Sequence, residues 1–184
     1  LTSGLELFNE YLASERLEGG DPTRLRFAAY VQDEWRLLDA LVVLPGARVD
    51  YDSQFGVAVT PRLAVRYDPL PELTLRASYG FGFRAPGFRE LYLVFENPSV
   101  GYRVEGNPDL APERSRSLEL SVDLHPTDRF TATLSVFRHD LDNLIVSLPA
   151  VSRPGQLDLY GYANVATAVS QGFEARVVGA PHRR

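Results

Sequence analysis

Between Phe55 and Phe83 the chain alternates apolar and polar residues, and this alternation restricts its fold more than any other feature. Odd-numbered positions of residues 55–67 are mostly apolar or aromatic, whereas the even ones carry Gly, Ala, Thr, Arg or Asp. Residues 73–83 repeat the pattern in the same phase. A period of two is typical of a β-strand with one apolar and one polar face. Each run has about 11 residues, the length that a tilted strand needs to cross a bilayer.

Composition narrows the classes of protein that fit. The 184 residues are 45% hydrophobic and 23% charged, which argues against disorder. No window approaches about 18 consecutive apolar residues, so a membrane protein with this sequence would have to span with strands. The net charge of −5 indicates no nucleic-acid-binding surface, and the absence of cysteine excludes disulfides and thiol ligands. The chain starts without Met or a leader, so we expect a piece of a longer protein.

The same periodicity, followed along the chain, predicts an all-β protein of about eight strands. No segment of comparable length keeps a helical period of 3.6. We place the strands near 3–12, 24–37, 40–51, 56–68, 72–84, 113–125, 128–141 and 159–178.

Short and long connections alternate between these strands. Residues 37–39, 68–72 and 125–128 predict tight turns because they contain Pro or Asp, whereas residues 83–113 and 142–157 predict long loops. Outer-membrane barrels combine short periplasmic turns with long extracellular loops. This order would place aromatic residues at both membrane interfaces, with Trp35 and Tyr67 on the periplasmic side and Tyr51, Phe55, Phe81 and Phe83 on the outer side.

A soluble β-sandwich remains open as an alternative. In a secreted sandwich used for adhesion or carbohydrate binding, the same alternation would face a core between two sheets. Pro61 fits neither architecture well, because a proline in mid-strand cannot donate to the ladder. Periodicity alone therefore leaves both architectures possible.

Six short motifs resemble, in order, segments of the barrel domain of TonB-dependent outer-membrane receptors. The most informative are YGFGFRAPGFRELY at 79–92, GNPDLAPERS at 106–115, FRHDLDNLI at 137–145 and YANVATAVSQGFE at 162–174. Two upstream motifs, YVQDEW at 30–35 and PGARVD at 45–50, fit as well. The resemblance covers residues 24–178.

This resemblance implies an antiparallel transmembrane β-barrel of about 22 strands closed by an N-terminal plug domain. The chain would then be a partial barrel domain, with the plug and the C-terminal strands lying outside it. Such receptors import scarce nutrients of the ferric siderophore, haem or cobalamin class, energised by the inner-membrane TonB complex. The implied partners are outer-membrane lipid, the plug domain, the TonB complex and a small metal chelate, and the implied location is the outer membrane of a Gram-negative bacterium.

The longest loop is where we expect ligand contacts, because loops on rigid scaffolds tend to hold binding residues. It mixes aromatic area with charge, and the candidate residues are Tyr92, Phe95, Glu96, Tyr102, Arg103 and Glu105. Charged residues on the polar strand faces are instead expected to line the lumen as a solvated wall. These are Arg24, Arg26, Glu34, Arg48, Arg62, Arg66, Arg76, Glu119 and Asp123.

No motif indicates catalysis, a metal site or a bound cofactor. His125, His139 and His182 are far apart and have no partner at triad or zinc spacing. The pairs Asp50/Asp52 and Asp140/Asp142 offer carboxylates for calcium, but polar strand ends facing water explain them more simply. We predict a receptor without enzymatic activity, with a barrel hydrolase as the enzymatic alternative.

Overall fold

The computed structural model describes residues 1–17, 20–127, 129–149 and 157–179. These residues form eleven strands and one short helix. The elements are β1 Thr2–Tyr11, β2 Thr23–Gln32, β3 Trp35–Leu38, β4 Leu41–Asp52, β5 Gly56–Leu70, β6 Leu73–Arg84, α1 Phe88–Tyr92, β7 Val94–Asn97, β8 Tyr102–Glu105, β9 Glu113–Thr127, β10 Phe130–Pro149 and β11 Asp158–Gly179.

All eleven strands belong to a single sheet in the order β1-β2-β4-β5-β6-β9-β10-β11-β8-β7, with β3 also paired to β4. The long strands are antiparallel to their neighbours, whereas β8 joins β11 in parallel. Because consecutive long strands are sheet neighbours, the wall is an up-and-down meander. Among the described residues no helix is long and apolar enough to span a membrane.

The sheet exposes its apolar face, and its few buried strand residues lie on the polar face, the reverse of a water-soluble fold. Val57 and Val59 are 63% and 60% exposed, and the same face presents a band of exposed Leu, Val and aromatic side chains on neighbouring strands. The buried strand residues lie instead on the polar face and include Arg24, Asp52, Thr74, Glu113 and Asp123. No second sheet packs on the apolar face among the described residues. The described residues therefore form one sheet and not a sandwich, and the all-β prediction is confirmed.

The eight predicted strands are found, one of them in two parts, and β7 and β8 are two further short strands inside the long loop predicted at 83–113. The second predicted strand, at 24–37, is divided at Asp33 and Glu34 into β2 and β3. Both β2 and β3 pair with β4. Asp33 accepts hydrogen bonds from the Trp35 indole at 2.8 Å and from the Glu34 amide at 3.0 Å. The indole hydrogen bond holds the pKa of the Asp33 carboxyl below its ordinary value.

The prediction that β10 ends near residue 141 is wrong. The β10–β11 ladder continues to the pair Pro149↔Tyr160, so the loop predicted at 142–157 is shorter. Asn143 adopts a φ of 59°, and the ladder skips it between the pairs Asp142↔Thr167 and Leu144↔Val165. The polar run that suggested a loop is thus a local irregularity inside a long strand. The rest of that loop and Asp128 of the turn at 125–128 lie outside the described residues.

The aromatic side chains lie at the two ends of the apolar face as predicted. Trp35 and Tyr67 are 50% and 43% exposed near the tight turns, and Tyr51 and Phe81 are 45% and 43% exposed near the other end. Amphipathic rings at both edges of an aliphatic band are typical of a membrane-spanning wall.

Candidate functional site

The longest connection, residues 85–112, is folded onto the end of the sheet that carries the long loops. Pro86 and Leu91 are its most deeply buried side chains, and Phe88 and Leu110 are buried as well. The connection includes α1 and a hairpin made of β7 and β8. It is therefore a packed substructure attached to the wall.

Arg24 provides the first attachment. Its Nη1 donates to the Pro86 carbonyl at 2.7 Å, and its Nε and Nη2 donate to Glu10 at 3.0 and 2.7 Å. The guanidinium lies 4.9 Å from the centre of the Phe88 ring, and Asp52 lies 3.6 Å from Nε. The sequence-based prediction that Arg24 is a solvated wall residue is wrong, because Arg24 is only 3% exposed and binds the connection.

Arg84, at the end of β6, provides the second attachment. Its Nη2 donates to Glu113 at 2.7 Å and its Nη1 donates to Glu90 at 3.0 Å. The same two carboxylates accept backbone N–H groups, from Ile145 to Glu113 and from Gly87 to Glu90, each at 2.7 Å. Charge-assisted hydrogen bonds of this kind are among the strongest in proteins. They join β6, α1, β9 and β10 into one network.

The return segment that begins at Gly106 packs directly on α1. The Gly106 amide donates to the Leu93 carbonyl at 2.6 Å, and the Asn107 amide donates to the Glu90 carbonyl at 2.8 Å. A Cβ on Gly106 would lie 2.5 Å from the backbone of Leu91, so only glycine fits. The Asn107 side chain donates to the Tyr162 carbonyl at 3.0 Å, which attaches the segment to β11.

Asn164, on β11, completes the attachment. Its Oδ1 accepts the Ala111 amide at 2.8 Å, and its Nδ2 donates to the carbonyls of Ala111 and Asn143 at 2.9 and 2.6 Å. One amide side chain thereby fixes the return segment and the irregularity in β10. The motif residues around 84–90, 106–115, 143 and 164 are thus brought together as structural anchors of the connection.

The hairpin carries five of the six predicted ligand residues. The Phe95 and Tyr102 rings lie 5.9 Å apart, and Tyr160 of β11 lies 6.4 Å from Tyr102 in an edge-to-face arrangement. The Arg16 guanidinium lies 4.9 Å from the Phe95 ring centre. We name Arg16, Phe95, Tyr102 and Tyr160 the rim cluster.

The charged candidates pair with one another within the hairpin. Arg103 donates to Glu96 at 2.6 Å and forms an ion pair with Glu105. Tyr92 is apart from them at the end of α1, where its hydroxyl accepts a hydrogen bond from the Gln54 side chain at 2.7 Å. The hairpin therefore presents chiefly aromatic surface and paired charges, although the buried Arg103 Nε has no hydrogen-bond partner among the described residues.

Sequence reasoning missed Arg16 and Tyr160 as members of this cluster. Arg16 reaches it because the Val94 amide donates to the Arg16 carbonyl at 2.7 Å, next to a bridge between Leu17 and Leu93. Tyr160 reaches it because β8 and β11 are parallel neighbours, with Tyr160 opposite Val104. Neither proximity has a signal in local sequence.

A cavity of about 530 Å³ lies on the polar face beside these anchors. It is lined by paired charges, including Arg48 with Glu6 at 2.8 Å and with Asp50 at 2.9 Å. Asp52 and Asp50 therefore face arginines, the first Arg24 and the second Arg48. No group of three or more His, Cys, Asp or Glu suited to a metal ion occurs within the described ranges.

Comparison with protein families gives a match over nearly the whole chain. The family model described as TonB dependent receptor-like, beta-barrel, matches residues 4–180. An iron-regulated outer membrane virulence protein of Vibrio cholerae is 33% identical over 157 residues, which cover 82% of this chain and 24% of that protein. The vitamin B12 transporter BtuB of Photobacterium profundum is 28% identical over 150 residues, covering 81% of this chain and 23% of the transporter.

Comparison with solved structures also finds outer-membrane receptors of this kind. The crystal structure of the siderophore receptor PirA from Pseudomonas aeruginosa superposes with a TM-score of 0.84 at 26% identity, over 94% of this chain and 35% of that one. The chain thus spans about a quarter of the curated relatives named above and about a third of the superposed receptor chain.

Proposed function

Because the chain belongs to the TonB dependent receptor-like β-barrel family, we propose that it is part of the wall of a nutrient receptor in the outer membrane of a Gram-negative bacterium. The observation that carries this proposal is the reversed polarity of the sheet. Valines at 60% exposure or more suit lipid, whereas buried ion pairs on the opposite face suit a closed and partly hydrated interior.

The substrate class we propose is a metal chelate, either a ferric siderophore, haem or a cobalamin. Support comes from the relatives, whose names identify a siderophore receptor, a vitamin B12 transporter and an iron-regulated outer membrane protein. The proposed partners are the plug domain of the whole receptor and the TonB complex. The role is binding and transport, and we assign no catalytic step to it.

The rim cluster and its hairpin are the part of this chain that we propose to contact the chelate. Three rings and a guanidinium are grouped there within 6.4 Å of their neighbours, beside the ion pairs that Arg103 forms with Glu96 and Glu105. Aromatic side chains supply large contact area at low entropic cost and dominate many binding sites. The buried anchors beneath would hold this surface in place.

The test uses the full-length receptor in a strain that lacks its own copy. Replacing Phe95 and Tyr102 together with alanine should weaken chelate binding by about tenfold or more, since each lost aromatic contact typically costs at least about 1 kcal/mol. Binding is measured by titration of the purified receptor with ferric siderophores, haemin and cyanocobalamin. Deleting residues 93–105 should have at least the same effect.

The matched control is the double variant Glu34→Gln and Arg36→Gln, which removes an exposed ion pair near a tight turn and leaves the hairpin intact. It should stay within about threefold of the parent because exposed pairs contribute little. Unchanged affinity after removal of the hairpin would show that the chelate binds elsewhere. Import that persists in a strain without TonB would contradict the proposed energy source.

A further inference from the structure

The wall contains a cleft between β5 and β6. Their ladder runs from Leu70↔Leu73 up to Arg62↔Gly80 and stops there. Above it, β5 continues to Gly56 paired with β4, and β6 continues to Arg84 paired with β9. The two strands therefore present facing edges that are not bonded to each other, around a cavity of about 380 Å³.

Pro61 is the first residue of β5 beyond the last pair with β6. Proline has no backbone N–H and is tolerated in sheets chiefly where a strand is an edge. Its position, unexplained by alternation alone, coincides with the start of the cleft. In a bilayer, unpaired backbone groups along such an edge carry a cost of several kcal/mol each unless they find a partner.

The cleft is apolar on its outer side and basic along one border. Val57, Val59, Phe81 and Phe83 line it and belong to the apolar face. Arg114 and Arg116 also line it, and in the β6–β9 ladder they stand opposite Phe83 and Phe81. The apolar lining and the guanidinium groups therefore lie at the same height of the wall.

The two arginines differ in their partners. Arg116 lies 3.3 Å from Asp142, which also borders the cleft. Arg114 is exposed, and its side chain has no hydrogen bond or ion pair with any described residue. An unpaired guanidinium beside an apolar cleft lacks an anion, and Arg recognises phosphate in a bidentate manner.

We propose that this cleft binds a phosphate-bearing lipid of the surrounding bilayer. The acyl chain would lie against Val57, Val59 and Phe83, and the phosphate would pair with Arg114. Ester and hydroxyl oxygens near the headgroup would accept hydrogen bonds from the unpaired strand N–H groups. A soluble anion would leave the apolar lining uncovered, and a peptide strand would leave Arg114 without its counterion. The inference rests on the proposed membrane location of the chain.

The lipid is tested on the full-length receptor in detergent by native mass spectrometry with added phosphatidylglycerol. The parent receptor should retain one phosphatidylglycerol molecule. The fraction of receptor that retains this lipid should be at least fivefold lower for Arg114→Gln. Arg138→Gln is the matched control and should stay within twofold, because Arg138 is an exposed strand arginine already paired with Asp140 at 2.8 Å. Equal loss in both variants would overturn the proposal.

Two further binding measurements distinguish a lipid phosphate from free inorganic phosphate. Diacylglycerol, which has the chains without the phosphate, should be retained at least fivefold less than phosphatidylglycerol. Millimolar inorganic phosphate should not displace the lipid. Equal retention of diacylglycerol, or displacement by phosphate alone, would overturn the proposal of a phospholipid site.

The cleft itself is tested with cysteine pairs. If the β5–β6 register continued upward, Val59 would stand opposite Phe83, as Val65 stands opposite Ala77. The pair Val65→Cys with Ala77→Cys should form a disulfide on mild oxidation, whereas Val59→Cys with Phe83→Cys should not, because the Cα atoms of a disulfide lie within about 7 Å. Equally fast oxidation of both pairs would show that the cleft is closed.

Chelate uptake separates the two proposals. Arg114→Gln should lose the lipid and keep uptake, because Arg114 lies outside the rim cluster. A receptor that failed to import any chelate while still showing Arg114-dependent lipid retention would contradict the proposed substrate and leave the lipid site standing.

Discussion

At the scale of single residues, the side chains that matter most for the site are anchors whose partners are remote in sequence. Arg24 binds the carbonyl of Pro86, and Asn107 binds that of Tyr162. Residue types and motif spacing identified several of these positions, but not what they hold. Alternation correctly assigned Arg24 to the polar face, yet it carries no information on the connection that buries it.

The anchoring role of the Asn164 side chain can be tested by substitution. Asn164→Leu keeps the branched shape of the side chain and removes three hydrogen bonds to the backbone of residues 111 and 143. Because the backbone N–H and C=O groups that lose these hydrogen bonds are partly buried, the free energy of unfolding should fall by about 2–4 kcal/mol. Urea unfolding of the full-length receptor in detergent measures it.

Asn97→Leu is the control for this prediction, since the Asn97 side chain makes no hydrogen bond among the described residues and its loss should change stability by less than about 0.5 kcal/mol. A similarly small loss of stability at both positions would show that the hydrogen bonds of Asn164 contribute little to the stability of the receptor. Limited proteolysis should agree, with faster cleavage within 85–112 for Asn164→Leu alone.

At the scale of elements, the sequence predicted the strands well and their extents less well. Period two is a local property, so eight long strands were found, but the break in the second at Asp33 and Glu34 was missed. The continuation of β10 beyond residue 141 was missed because the polar run through Asn143 looks like a loop. Only the partner strand, which supplies the ladder up to Tyr160, shows that it is not.

Substitutions at Asn143 test whether its backbone conformation is what β10 requires at this position. Its φ of 59° is readily adopted by glycine and asparagine and poorly by β-branched residues. Asn143→Val should therefore destabilise the receptor by about 1–3 kcal/mol, whereas Asn143→Gly should cost less than about 1 kcal/mol. Thermal unfolding followed by the electrophoretic shift of the folded barrel compares the two. Equal losses would mean that the side chain of Asn143, and not its backbone conformation, is what β10 requires.

At the scale of the whole molecule, the polarity of the two faces decides between architectures that alternation alone could not separate. A sandwich and a membrane wall have the same period, and they differ in which face is covered. The short motifs favour the barrel independently of the exposure of the two faces, because six of them occur in family order. Of the rim cluster, only Phe95 and Tyr102 were singled out from the sequence, since Arg16 and Tyr160 join them through the tertiary fold.

The reversed polarity predicts opposite effects for one basic residue on the two faces. Leu120 is 44% exposed on the apolar face, and Ser121 follows it on the polar face. Leu120→Arg should cost about 2–4 kcal/mol of stability in lipid vesicles, as expected for arginine placed deep in a bilayer. Ser121→Arg should cost less than about 1 kcal/mol. Folding titrations into vesicles measure both, and a smaller penalty at Leu120 than at Ser121 would contradict a lipid-facing surface.

The anchors of the long connection also bear on the order of assembly. Arg24 and Pro86 are 62 residues apart, and Asn107 and Tyr162 are 55 apart. Contacts of such separation form only after the strands on both sides have been placed, because closing each loop costs entropy first. The hairpin and its aromatic surface are therefore among the last parts to settle. A nascent receptor would thus acquire its wall before it acquires the surface that we propose to contact the chelate.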